Sequence, residues 1–256
     1  MKLLIMLSVL LLLLYLAAGA WLYLKQRSLL YFPSPAIETS YDTMTIVNGN
    51  VQIHITVTNP GQPHALLYWG GNGETVAAGA GVFAEALPSY STYLVDYRGY
   101  GHSTGKPTEA GILSDALVLY DAISPKHQDI SVFGRSLGTG VACFVASQKK
   151  TDKLVLITPY DSIERIARDR YPMFPLSLLI KDKYDSLSRV QKIKAKTLIL
   201  IAEYDTVVPK DHGYTLAQAF PKNQVQTYEI KGSHHNDIAD TPEYHDILKT
   251  FFKEQQ

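Results

Sequence analysis

Short apolar runs alternate with helix-length segments along most of this 256-residue chain. This alternation is typical of a mainly parallel sheet that carries helices on both faces. We therefore predict an α/β fold with eight strands, at residues 44–47, 51–57, 65–69, 91–95, 130–133, 154–157, 197–201 and 225–230. The predicted helices are 75–86, 109–122, 137–147, 211–219 and 242–252. The first two strands flank Asn48-Gly49-Asn50, a sequence typical of a hairpin turn.

The first hydrophobic segment, residues 3–24, differs from these runs because it is long and nearly uncharged. As a helix it would extend roughly 33 Å, close to the thickness of a bilayer core. Lys2 precedes it, and Lys25 and Arg27 follow it. Trp21 lies near its far end, where aromatic residues gather at a membrane surface. The pattern predicts a single-pass transmembrane helix at the N-terminus.

A cleaved signal peptide is the competing interpretation, because Ala18-Gly19-Ala20 resembles a small-residue cleavage site. The apolar run continues past that site and is long for a signal peptide, which favours an anchor. We therefore divide the chain into an anchor at residues 1–27 and an α/β domain at residues 28–256. The flanking charges nearly balance, so they do not orient the domain relative to the membrane. If the segment is cleaved, the mature protein is secreted or periplasmic.

Residues 160–194 interrupt the alternation, because they are longer than an ordinary connection between two strands. An apolar stretch at 171–176 lies within them. It is either a lid that faces an acyl group or a membrane, or the ordinary packing of a short helical insertion. Asp161, with Glu164 three residues later, predicts a helix N-cap with a capping box. We expect residues 160–194, called the cap below, to cover the functional site.

Composition excludes several classes of partner. Lys and Arg together number 24, as do Asp and Glu, and no basic stripe or recognition motif is visible, so we expect no nucleic-acid partner. Cys143 is the one cysteine, so the chain forms no internal disulfide and offers no zinc cluster. We expect Cys143 to be a small apolar filler on the helix at 137–147.

Candidate chemistry centres on Gly134-Arg135-Ser136-Leu137-Gly138, which follows an apolar strand and opens a helix. This pattern predicts a nucleophile elbow, a sharp turn that projects the Ser136 hydroxyl from the sheet. The residues two before and two after the serine approach it so closely that only very small side chains fit. A lone match is also compatible with a plain glycine turn, so it needs partners elsewhere in the chain.

An acid and a base follow the elbow in the order that such a serine needs. The loop after the strand at 197–201 contains Asp205, with Asp161 and Glu203 as rival acids. The rivals have ordinary interpretations as a helix cap and a solvent-exposed loop charge. The loop after the last strand contains His234 and His235, and either imidazole is suited to take the proton of Ser136.

Two backbone amides are candidates to bind a developing oxyanion. In a nucleophile elbow one donor is the amide of the residue after the serine, here Leu137, and the other follows the third strand. That loop is the glycine-rich segment 69–74, and we place the second donor at the amide of Asn72. Taken alone such a loop is more often structural, but its position ahead of the elbow favours the catalytic interpretation.

Together these segments resemble the α/β-hydrolase superfamily. The resemblance rests on residues 69–74, the loop 96–107, the elbow, Asp205 to Pro209 and His235-Asn236-Asp237, and it spans roughly residues 28–255. Within the superfamily the chain is similar to the serine aminopeptidase and lysophospholipase-like group, especially its membrane-anchored esterase and depalmitoylase-like members. Two departures are visible, since relatives often carry histidine at Gly70 and glycine at Ala202.

The resemblance implies that His235, which directly precedes the Asn-Asp pair, is the catalytic histidine, with Ser136 and Asp205 completing a triad. It implies a serine hydrolase that cleaves ester or thioester bonds of small or lipid-like acyl substrates and needs no cofactor or metal. One alternative is an aminopeptidase, in which cap acids such as Glu164, Asp169 and Asp182 bind a substrate amine. The other is a catalytically silent hydrolase fold that acts as a binding module. The sequence leaves the oligomeric state open.

Overall fold

The computed structural model, which describes residues 1–253, contains one sheet of eight strands. The predicted domain end at 254–256 lies outside these residues. All eight predicted strands are confirmed, with bounds β1 Asp42–Asn48, β2 Val51–Thr58, β3 His64–Trp69, β4 Tyr90–Val95, β5 Asp129–Arg135, β6 Lys153–Ile157, β7 Lys196–Ala202 and β8 Val225–Ile230. The predicted hairpin is also confirmed, because Asn48 pairs with Val51 across a tight turn.

The sheet has the order β1-β2-β4-β3-β5-β6-β7-β8. β1 pairs antiparallel with β2, and β2 pairs antiparallel with β4, whereas the remaining pairs are parallel. Trp69 at the end of β3 is in register with Val95 of β4 and Gly134 of β5. The loops that follow these strands therefore emerge side by side at one edge of the sheet, where open α/β sheets bind their ligands.

Helices cover both faces of this sheet. The helices of the described residues are α1 Lys2–Leu30, α2 Ala80–Ala86, α3 Glu109–Ile123, α4 Leu137–Gln148, α5 Ile163–Arg170, α6 Leu176–Leu179, α7 Lys210–Ala219 and α8 Pro242–Lys253. Leu119, Val141 and Leu216 of three helices pack in the core on one face. Phe251 and Phe252 pack in the core on the other. Because the central strands are buried on both faces, most of their side chains are apolar.

α1 is continuous through the possible cleavage site and ends at Leu30, beyond the boundary drawn at residue 27. Its 29 residues are long and apolar enough to cross a membrane, and none of them is buried in the protein. The same properties fit a signal sequence near an N-terminus.

The cap consists of α5, α6 and a short 3-10 helix, Leu187–Lys192. The prediction of Asp161 as the N-cap of the first cap helix is wrong. Ser162 occupies that position, and its hydroxyl accepts a hydrogen bond from the amide of Arg165. Asp161 lies one residue too early, and its carboxylate binds His212 of α7 instead.

Candidate active site

The sharpest turn at this edge of the sheet lies between β5 and α4, at Ser136. Its backbone has φ +49° and ψ −115°, a region that residues with side chains rarely adopt. Such a conformation costs about 1–3 kcal/mol and persists only where the surrounding structure enforces it. The Ser136 amide donates to the carbonyl of Ile157 on β6 at 2.9 Å, which holds the turn against the sheet. This strained turn has the geometry of a nucleophile elbow.

Two glycines allow the turn to close. A Cβ at Gly134 would lie 2.4 Å from the carbonyl oxygen of Gly138, and a Cβ at Gly138 would lie 2.0 Å from the carbonyl oxygen of Trp69. Real Cβ atoms do not approach backbone atoms so closely, so neither position accepts a side chain unless the backbone moves. The close approach at Gly138 brings the start of α4 directly against the glycine-rich loop that follows β3.

The structure brings Ser136, His235 and Asp205 together. His235 Nε2 lies 2.8 Å from Ser136 Oγ, and His235 Nδ1 lies 2.7 Å from Asp205 Oδ2. His235 follows β8 and Asp205 follows β7, so three separate strand ends supply the three side chains. We assign the proton of the neutral imidazole to Nδ1, facing the carboxylate, which leaves Nε2 to accept from the Ser136 hydroxyl.

Asp205 is held in place by its own loop. Its Oδ1 atom accepts hydrogen bonds from the amides of Val207 at 2.9 Å and Val208 at 2.8 Å. Its side chain is only 2% exposed, and that of His235 is 8% exposed. One oxygen of the Asp205 carboxylate therefore binds the loop amides, and the other faces the imidazole of His235. This arrangement holds the imidazole in a fixed orientation toward Ser136.

The rival residues lie outside this arrangement. His234 points to Asp237 at 3.2 Å, with 59% of its side chain exposed. Glu203 accepts from the amide of Gly232 at 2.8 Å and pairs with Lys231, so it braces the loop that carries the histidines. Neither of these two rivals contacts Ser136.

The third rival, Asp161, joins the cap to the domain. Its Oδ1 atom lies 2.9 Å from His212 Nδ1, and Asp169 of α5 lies 3.2 Å from His212 Nε2. Arg165 contacts the other oxygen of Asp161. The hydrogen bond to Asp161 raises the pKa of His212; burial opposes this, and the charges of Asp161, Asp169 and Asp211 add to it. When it is protonated, His212 binds the two cap carboxylates of Asp161 and Asp169 to α7.

This contact predicts a pH-dependent loss of stability in the variant His212→Gln. A raised pKa means that the stabilisation is fully present below the ordinary histidine value of about 6.5 and is lost as pH rises through the folded-state value. We expect His212→Gln to lower the free energy of unfolding by about 1–2 kcal/mol at pH 6, and by clearly less at pH 8.5. Thermal melting of both proteins at the two pH values measures this. An equal loss at both would contradict it.

The glycine-rich loop reaches the elbow from β3. A Cβ at Gly71 would lie 3.6 Å from the Cβ of Ser136. Asn72 and Leu137 line the same cavity as Ser136. Amides that bind an oxyanion formed at Ser136 would have to lie in this cavity. The Asn72 side chain binds the segment that follows α1, because its Oδ1 accepts from the amide of Phe32 at 2.9 Å. Assignment of the two amides as oxyanion donors remains a prediction.

Sequence reasoning missed an ion pair that connects the three loops of the site. Arg135 Nη1 lies 2.8 Å from Glu74 Oε2, and the same oxygen accepts from the amide of Gly71 at 2.7 Å. Arg135 Nη2 reaches the carbonyl of His235 at 3.3 Å. Burial lowers the pKa of Arg135, but the adjacent Glu74 more than offsets it, so the pKa is raised. In the sequence each of these two charges simply follows a glycine, Glu74 after Gly73 and Arg135 after Gly134, and nothing there pairs them.

An apolar cavity of about 390 Å³ lies in front of Ser136. Leu137 and Val208 line it near the serine, and Ile166, Tyr171 and Leu176 line it from the cap. Part of the apolar stretch 171–176 therefore faces the cavity, as the lid interpretation expects. Phe174 of the same stretch packs against α1, where its ring stacks on Tyr15.

Cys143 is buried on α4, as expected for an apolar filler. Burial raises the pKa of its thiol to about 12, so the reactive thiolate is scarce at neutral pH. Within residues 1–253, no group of three or more His, Cys, Asp or Glu side chains is placed to hold a metal ion.

Comparison with known proteins identifies the family. The chain is 30% identical over 261 residues to an uncharacterized protein of Mycobacterium tuberculosis, Rv2307c, covering 93% of this chain and 92% of the relative. It is 31% identical over 191 residues to the lysophosphatidylserine lipase ABHD12 of Xenopus tropicalis, covering 63% of this chain and 50% of that lipase. No protein-family model matches the chain.

The esterase Pf2001 of Pyrococcus furiosus has the same fold, with a TM-score of 0.68, 19% identity, and coverage of 87% of this chain and 99% of the esterase. The chain belongs to the α/β-hydrolase superfamily. It is a hydrolase whose relatives and structural neighbours include lipases and esterases.

Proposed function

We propose that this protein is a serine hydrolase that cleaves carboxylic ester or thioester bonds of acyl substrates. The observation that carries the proposal is the hydrogen-bonded series from Ser136 through His235 to Asp205 at the base of an apolar cavity. A serine, a base and an orienting acid in this order can perform acyl transfer.

In the first step Ser136 Oγ attacks the substrate carbonyl carbon while His235 Nε2 takes the hydroxyl proton. The amides of Asn72 and Leu137 donate to the carbonyl oxygen as it becomes negative. His235 then gives its proton to the departing alcohol or thiol, which leaves the acyl group bound to Ser136. Water attacks this acyl-enzyme, His235 takes one proton from the water, and return of that proton to Ser136 Oγ releases the carboxylic acid.

The aminopeptidase alternative is less well supported, because the cap acids already have cationic partners. Glu164 contacts Lys183 at 2.9 Å, Asp169 contacts His212 at 3.2 Å, and Asp182 contacts Arg27 at 2.7 Å. A substrate ammonium group would have to displace these partners. The silent-module alternative is disfavoured because all three side chains needed for acyl transfer are in contact.

A substrate comparison tests the choice between ester and amide chemistry. The full chain, purified in detergent, is assayed on p-nitrophenyl butyrate, on the matching butyryl thioester and on aminoacyl p-nitroanilides. We expect hydrolysis of the ester and the thioester, and covalent labelling by a fluorophosphonate probe that abolishes both activities. Faster cleavage of an anilide than of the butyrate ester would favour the aminopeptidase, and no labelling with no turnover would refute the proposal.

We also propose that residues 1–27 anchor the protein in a membrane and that residues 28–256 form the hydrolase domain with a cap at 160–194. The length and hydropathy of α1 support an anchor. The contact of α1 with the cap, through Tyr15 and Phe174, supports retention of this helix in the mature protein. Recovery of the protein in the membrane fraction, with an N-terminus before residue 20, is expected. A soluble mature form beginning near Trp21 would contradict the anchor.

A further inference from the structure

The last turns of α1 are bound to the cap by specific polar contacts. Arg27 Nε lies 2.7 Å and Nη2 lies 3.3 Å from the two carboxylate oxygens of Asp182, a forked geometry. Gln26 donates to the carbonyl of Leu179 at 3.1 Å and accepts from the amide of Lys181 at 2.7 Å. The Asp182 side chain is only 4% exposed. A helix that served only as a tether would not need these contacts.

The contact continues farther toward the N-terminus of α1. The Tyr15 hydroxyl donates to the carbonyl of Met173 at 2.7 Å, and its ring stacks on Phe174 at 5.1 Å between ring centroids. A Cβ at Gly19 would lie 3.6 Å from the Phe174 ring, so the small residue leaves room for it. The cap therefore lies along α1 from Tyr15 to Arg27.

This packing makes α1 one wall of the cavity in front of Ser136. Leu22 and Leu29 line it from α1, and Ile166 and Tyr171 line it from the cap. The two leucines are two helical turns apart, so they project from the same side of the helix. The floor at Ser136 is polar and chemically active, whereas these walls are apolar. An acyl chain bonded through its carbonyl at Ser136 has the shape and the polarity that such a space accepts.

We propose that the cavity between α1 and the cap holds the acyl chain of the substrate, so that Leu22 and Leu29 of the anchor helix determine acyl-chain specificity. The proposal rests on the proposed function and extends it to the substrate class. That class is an ester or thioester with a single acyl chain, because the cavity is lined mainly by apolar side chains and its volume of about 390 Å³ is at the small end of the range for ligand sites.

Exposed apolar side chains indicate where such a substrate comes from. Met173 is 60% exposed and Leu178 is 83% exposed. Met173 lies beside Tyr15, which belongs to the apolar segment 3–24. A bilayer that surrounds this segment would also cover the tip of the cap. The acyl chain then passes from the surrounding leaflet to the cavity without crossing water, which avoids the cost of exposing its methylene groups.

Acyl-chain preference in variants of the cavity wall tests the proposal. The full chain in detergent is assayed on p-nitrophenyl acetate, butyrate, dodecanoate and palmitate. We expect Leu22→Trp and Leu29→Trp to lower kcat/KM for dodecanoate and palmitate by about 10-fold or more, because the indole fills space that the chain needs. We expect acetate and butyrate hydrolysis to change by less than about twofold. Leu22→Ala enlarges the cavity and should move the preference toward longer chains.

Leu24→Trp is the matched control, since Leu24 lies on the same helix, is 74% exposed and is not part of the cavity lining. It should leave the whole chain-length profile unchanged. An unchanged palmitate-to-acetate ratio in all three wall variants would overturn the inference but would leave the proposed function intact, provided that acetate is still hydrolysed. If the unaltered protein hydrolysed none of the esters, the proposed function would fail, and this inference with it.

Discussion

Replacing Ser136 by alanine is expected to lower kcat/KM on short esters by about 10⁴-fold or more, since the members of a hydrolytic triad act as a unit. Ser136 Oγ is the atom at 2.8 Å from His235 Nε2, and without it no acyl-enzyme can form. The effect should be on kcat rather than on KM, because the cavity walls are untouched. Steady-state hydrolysis of p-nitrophenyl butyrate and loss of fluorophosphonate labelling measure the effect.

Two further serine variants separate chemistry from structure. Ser147 lies on the same helix, α4, and its hydroxyl bonds to the carbonyl of Phe144, so Ser147→Ala should keep activity within about twofold. Ser136→Gly should be as inactive as Ser136→Ala but should melt at a higher temperature, because glycine adopts φ +49° with little strain. Activity within tenfold of wild type in Ser136→Ala would remove Ser136 from the mechanism.

The second large effect is expected at Gly138. In Gly138→Ala the new Cβ would lie 2.0 Å from the Trp69 carbonyl oxygen and 2.8 Å from that of Gly70. Both obstacles are backbone atoms, so relief requires moving α4 or the glycine-rich loop. We expect a loss of unfolding free energy of about 3 kcal/mol or more and a fall in kcat of about 10²-fold or more, because the proposed oxyanion donors separate.

Gly79→Ala provides the control for this variant. A Cβ at Gly79 would meet no atom within 4 Å, and its backbone is not in the left-handed region. Its melting temperature and activity should match those of the unaltered protein within error. Thermal melting and ester hydrolysis of both variants measure the comparison. Wild-type stability in Gly138→Ala would show that the loop and α4 do not pack as closely as this geometry requires.

Several parts of the fold were predictable because each depends on local residues. β5 and β6 are apolar runs buried on both faces, and their composition alone distinguishes them from helices. The elbow could be predicted because its strained turn and close packing require glycine at Gly134 and Gly138. This pattern lies within five consecutive residues. The choice of Asp205 over Glu203 rested on the resemblance of the segment Asp205 to Pro209 to the family's motif.

Other parts could not be predicted from local residues. His234 and His235 are adjacent and chemically identical, and only the family resemblance favoured the second. In the structure one ring points to Asp237 and the other to Asp205, which depends on how the last loop folds over the sheet. Asp161 has a suitable sequence for a helix cap, yet a histidine 51 positions later in the chain takes its carboxylate. Propensity is a weak guide where a tertiary contact competes.

By itself the sequence determined the α/β class, the strained turn at Ser136 and the apolar character of α1, because periodicity, glycine placement and hydropathy are properties of neighbouring residues. Only the tertiary structure decided that α1 forms a wall of the cavity, through a pair such as Arg27 and Asp182 at a separation of 155 positions. It also decided that Glu74 and Arg135 connect the loops of the site. Such pairs depend on strand order and register, which bring distant residues together and leave no local pattern at either position.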